Sequence, residues 1–149
     1  MADQTANDIL NHLVGRVYRS LLQYSVECWP WTTLTETVGS AAPEQQALEQ
    51  MAARQKSFVA RLVELLTDRG ENVDFGGFPD NSELHYVSLD FLLGKLVADE
   101  QQLVAELEAA LGGLHNDQEA AALVSELLTA EQANIARLRE LTAKAPAGV

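Results

Sequence analysis

Residues 82–143 read SELHYVSLDFLLGKLVADEQQLVAELEAALGGLHNDQEAAALVSELLTAEQANIARLRELTA, and this stretch decides the fold. Alternate steps of three and four from Tyr86 pass through Leu89, Leu93, Leu96, Glu100, Leu103, Leu107 and Ala110, one apolar helical stripe broken once, by Glu100. A second stripe passes through Ala120, Val124, Leu127, Glu131, Asn134, Leu138 and Leu141, apolar except for Glu131 and Asn134. Gly112-Gly113 lies between the two helices, and Glu100 falls about as far before this turn as Glu131 falls after it. A hairpin therefore sets the two carboxyls at one level. Two unpaired charges facing a core are costly, so they must share a proton, hold a cation or reach water.

The rest of the chain supplies two more helices. A first helix is expected over about 6–28, with Thr5 and Asp8 at capping-box spacing and a stripe through Leu10, Val14, Val17, Leu21, Tyr24 and Cys28. Trp29-Pro30-Trp31 ends it, because proline cannot continue the hydrogen-bond ladder. These are the only two tryptophans, and they either plug the end of the core or form an interaction patch. A second helix is expected over about 43–69, opening on Pro43 and closing at Arg69-Gly70, with Gln55 as the polar break in its stripe. The Gly-rich loop that follows is long enough to run the length of a helix. The third helix is expected over about 82–111, and the fourth over about 116–144, with Asn116 and Glu119 as its capping pair. The expectation is one all-α domain over residues 1–149, a four-helix bundle.

Composition narrows the function classes. The formal net charge of −12 opposes nucleic acid and anionic membrane surfaces as partners and favours cations or basic proteins. A lone cysteine, Cys28, excludes an internal disulfide, no stretch is long and apolar enough for a membrane span, and the polar run Met1 to Asp8 leads us to expect no leader. The expected location is cytoplasmic. Zinc spacings, phosphate loops and Ser-His-Asp arrangements are absent. His12, His85 and His115 are scattered, which fits surface or capping roles.

Two long helical hairpins with carboxylates in mid-seam resemble the ferritin-like family, whose di-iron members carry a Glu on helices 1 and 3 and a Glu-x-x-His on helices 2 and 4. The resemblance implies a crossover or long loop between helices 2 and 3. Glu100 stands where the family's helix 3 Glu would be, and Glu131-Gln132-Ala133-Asn134 stands where Glu-x-x-His would be, with Asn134 in place of histidine. On helix 2 the nearest candidate is Glu49, with Gln55 in the seam; on helix 1 Tyr24 holds the seam, with Glu27 one turn on. No Glu-x-x-His occurs anywhere.

The leading reading is a non-enzymatic bundle with a degenerate metal centre and no cofactor, acting by protein or ligand binding, with a polar core of Tyr24, Gln55, Asn134, Glu100 and Glu131. A homo-oligomer or a protein partner is expected, through an apolar helix face or through Trp29 and Trp31. The alternative is an iron- or manganese-binding protein that stores or oxidises metal through Glu100 and Glu131, with Glu27 and Glu49 as further ligands. A ligand pocket near Glu100, where Gly94 and Ala98 thin the packing, is a third possibility. Counting residues from the helix ends, a crossover puts Glu100 level with Phe58 to Leu62 and His12, whereas an antiparallel helix 2 and 3 pair puts it level with Gln55 and Tyr24.

Overall fold

A computed structural model describes residues 4–27, 42–76 and 89–144. Cys28, Trp29, Trp31, His85, the expected start of the third helix and the side chain of Glu27 lie outside the described residues. Five helical segments appear among the described residues, and no strand: α1 (Gln4–Tyr18), α2 (Leu21–Glu27), α3 (Ala42–Asp68), α4 (Leu89–Gly112) and α5 (Gln118–Lys144). The chain is an all-helical bundle. No helix among the described residues is long and apolar enough to cross a membrane.

The first helix, expected to be continuous, is broken at Arg19 and Ser20. Ser20 acts as the N-cap of α2, its Oγ accepting the N–H of Gln23 at 3.3 Å, while the N–H of Leu21 donates to Asp99 Oδ2 on α4 at 3.0 Å. The break also shifts the buried face: Leu22, not Leu21, is fully buried. α3 ends as its sequence suggests. Gly70 takes φ 76°, its N–H donates to the Thr67 carbonyl at 2.9 Å and the Glu71 N–H donates to that of Leu66 at 3.0 Å, a Schellman closure. The cap of α5 is Asp117, whose Oδ1 accepts the Ala120 N–H at 3.2 Å, and not Asn116 as expected.

Apolar burial falls into two clusters. One joins Leu10, Leu13 and Val14 of α1 to Leu62 and Leu66 of α3, Leu103 and Leu107 of α4, and Val124 and Leu127 of α5. The other joins Leu22 of α2 to Leu48 and Met51 of α3, Leu93 and Leu96 of α4, and Leu138 and Leu141 of α5. A polar layer separates them, and it is the site described next. Ion pairs fasten the outside: Arg16 of α1 donates to Glu106 at 2.6 Å and to Asp99 Oδ1 at 3.1 Å, both on α4. Arg69, after α3, donates to both carboxylate oxygens of Asp117, at 2.7 and 2.9 Å, and to Asn7 of α1 at 2.9 Å. α1, α3 and α5 thus meet at one end of the bundle.

Residues 71–76 run back along α1. Asn7 donates to Glu71, Asn11 donates to the Asn72 carbonyl and accepts the Asp74 N–H, and the Phe75 ring lies 4.8 Å from that of Tyr18. Gly15 makes room for this strand of chain, since a Cβ there would stand 3.3 Å from the Phe75 carbonyl oxygen.

Candidate functional site

Glu100 and Glu131 are both fully buried and lie at one level of the bundle, as the spacing about the hairpin requires. Gln55 of α3 is the residue that ties them together. Its Nε2 donates to Glu100 Oε1 and to Glu131 Oε2, at 2.9 Å each, so its two N–H groups serve one carboxyl apiece. Asn134, one turn along α5, gives Glu131 Oε2 a second donor at 3.3 Å.

The orientation of the Gln55 amide is fixed from the far side. Gln23 of α2 must present its Nε2 to the Ala52 carbonyl, at 2.8 Å, because a carbonyl only accepts. That same nitrogen lies 3.0 Å from Gln55 Oε1, and Ser20 Oγ donates to Oε1 at 3.1 Å. Gln55 therefore offers its oxygen to α2 and its nitrogen to the carboxyls. The break at Ser20 is what brings Ser20 and Gln23 onto this layer.

Two oxygens remain without a hydrogen bond, Glu100 Oε2 and Glu131 Oε1. Both are acceptors when ionised, so neither can serve the other until one carboxyl takes a proton. Burial first, and then hydrogen bonding with Glu131 and its charge, push the Glu100 carboxyl up to about 10. Asp99 adds to the rise and Gln55 opposes it. Glu131 has two donors on one oxygen and Glu100 has one, so Glu100 is the carboxyl of the pair that holds a proton. A proton on Glu100 turns one acceptor of the pair into a donor.

Of the two further expected ligands, Glu49 is not brought here and the Glu27 side chain lies outside the described residues. Glu49 is exposed on the outside of α3, where Gln45 donates to it at 3.5 Å. Tyr24 is half-buried on α2. His12 is exposed, 3.8 Å from Glu106, and His115 Nδ1 lies 3.2 Å from the Gly112 carbonyl in the α4–α5 turn. Gly94 and Ala98 sit on the solvent side of α4, so they do not thin the packing around Glu100.

The donor set does not fit a di-iron centre. Such a centre takes about six protein ligands including imidazole, and no group of three or more His, Cys, Asp or Glu that could hold a metal occurs among the described residues. The Gln55 nitrogen also occupies the position between the two carboxyls that a bridging cation would take. Counting from the helix ends gave two levels for Glu100, and the structure puts Gln55, not Phe58 to Leu62, against it. With α3 and α5 meeting at Arg69 and Asp117, the contact to Glu100 falls at Gln55, about one turn from the Phe58 to Leu62 segment expected for a crossover. Comparison with protein-family models and with curated proteins gives no match for this chain.

Proposed function

We propose that this chain is a ferritin-like bundle whose interior centre is metal-free, a non-enzymatic protein that acts by binding a protein partner or a second copy of itself. The observation that carries this reading is the Gln55 amide, which meets Glu100 and Glu131 at 2.9 Å each and does with two N–H groups what a cation would do with charge. A neutral donor held on both sides supports a metal-free layer, and the pair is buried away from solvent.

The ferritin-like crossover is part of the proposal. It is supported by α3 ending beside the start of α5, at Arg69 and Asp117, while the start of α4 shares an apolar cluster with the start of α3. α3 and α4 then run in the same direction, and the chain between them must travel the length of the bundle. The passage of residues 71–76 along α1, from Asn7 toward Tyr18, is the first part of that course.

Metal analysis tests the reading. Protein purified without chelator or nickel resin, incubated anaerobically with Fe(II) or Mn(II) and desalted, is expected to retain no more metal than the buffer contains. Stoichiometric retention that disappears in the Glu100→Gln and Glu131→Gln variants would overturn it.

A further inference from the structure

The outer face of α4 carries a strip that neither the core nor the polar layer uses. Its exposed residues run from Phe91 to Gly112, roughly 32 Å at the helical rise, and their positions mirror about the midpoint between Gln101 and Gln102. Any regular helix face has such symmetry of position. The side chains add complementarity to it.

Phe91, 51% exposed, mirrors Gly112, which has no side chain. Lys95 mirrors Glu108, the one exposed cation and the one exposed anion among the described side chains of this helix. Ala98 mirrors Ala105. Gly94, which mirrors Ala109, lies in the helix interior, where glycine is less favourable than alanine. Nothing among the described residues explains it, because a Cβ at Gly94 would meet none of their atoms within 4 Å. On a chain of net charge −12, this strip is neutral and self-complementary.

We infer that this strip is a self-association surface, on which α4 of a second copy packs antiparallel about a two-fold axis through the Gln101–Gln102 midpoint. Such an interface is isologous, so every contact occurs twice. Phe91 covers Gly112 of the second copy, and the small residues between them let the axes approach to about 8 Å. Lys95 and Glu108 of the second copy are level but on opposite flanks of the strip. Packed helices cross at angles of either hand, and the interface takes the hand that swings these flanks together. In the single chain the Lys95 ammonium lies 5.4 Å from the centre of its own Phe91 ring, so dimerisation trades that contact for an ion pair and covers the ring. One helix face buries less than the roughly 800 Å² per copy of a standard interface, so the association is expected to be weak and is sought at micromolar concentrations.

This names the partner within the binding reading above and rests on it. The test reads association and not metal, so the two can fail separately. Sedimentation of the full chain from about 5 to 200 µM is expected to show a monomer–dimer equilibrium. Lys95→Glu and Glu108→Lys should each weaken it at least tenfold, since each sets like charges against each other twice. The double swap, Lys95→Glu with Glu108→Lys, should restore it, and so should an equal mixture of the two single variants, which pairs opposite charges at both places. All four sites of substitution in the dimer are exposed, and circular dichroism checks that the helices persist. A chain that stays monomeric throughout the range overturns the inference, and so does a dimer that Lys95→Glu leaves intact. Either result leaves α4 to a different partner or moves the interface elsewhere.

Discussion

The backbone N–H of Leu21 ends on the carboxylate of Asp99 at 3.0 Å, and this bond ties the break in the first helix to the residue beside the buried Glu100. Asp99 also accepts from Arg16, at 3.1 Å, so one side chain caps α2 and pins α1 to α4. Asp99→Ala removes both partners and leaves the Leu21 N–H without an acceptor. The expected cost is about 1–3 kcal/mol, read from urea unfolding. Hydrogen exchange should quicken in Leu21 to Glu27 before it quickens in α5. Uniform quickening would show that Asp99 supports the bundle as a whole and not the break.

Gln55 is the member of the polar layer with most to lose. Gln55→Leu takes the donor from Glu100 and Glu131 and the acceptor from Ser20 and Gln23, at a cost of about 3 kcal/mol or more. Adding Glu100→Leu and Glu131→Met to that variant should recover most of the loss, because a buried pair replaced by apolar side chains of similar volume is commonly neutral or stabilising. Failure to recover would mean that Ser20 and Gln23, not the carboxyls, carry the penalty.

The carboxyl pair makes stability fall toward alkaline pH. The Glu100 carboxyl, raised from 4.5 to about 10, keeps in the folded chain a proton that the unfolded chain releases. Its contribution is therefore fully present below about 4.5, declines as pH rises, and is lost on passing about 10. Asp117 works in the opposite direction: its hydrogen bonds with Arg69 hold it below the usual carboxylate range, and its contribution is lost as pH falls through that depressed value. Unfolding free energy measured from pH 5 to 9 should decline for the native chain and flatten in Glu100→Gln. Equal slopes in the two proteins would remove the shared proton.

The seam could be read from the sequence because a polar residue on an apolar helical stripe is conspicuous, and Glu100, Glu131, Gln55 and Asn134 all lie on the layer. Ser20, Gln23, Arg16 and Asp99 carry no such mark. Arg19 and Ser20 carry neither glycine nor proline, so a stripe-based reading runs straight through the break. The available signal was Ser20 with Gln23 three residues on, a capping box inside a helix. Arg16 and Asp99 read as solvated charges on separate helices, since only the packing of α1 on α4 brings them together. Counts from the helix ends left Glu100 level either with Gln55 or with Phe58 to Leu62, because such counts drift by about a turn over helices of this length, and only the packing decides for Gln55.

Gln55→Glu turns the layer into a direct comparison between amide and cation. It adds a third carboxylate where the neutral donor stood, and three buried carboxyls cannot all be ionised without a counter-charge. The variant is expected to be less stable than the native chain at pH 7 and to regain stability when Mn(II) is added. At a metal concentration of about 100 times its dissociation constant, the gain should approach 2.7 kcal/mol. Thermal melts with and without Mn(II) read this directly, and the native chain should not respond. Equal stabilisation of both proteins would show that Gln55 does not keep metal out, and the carboxyl pair would then have to be read as a cation site in its own right.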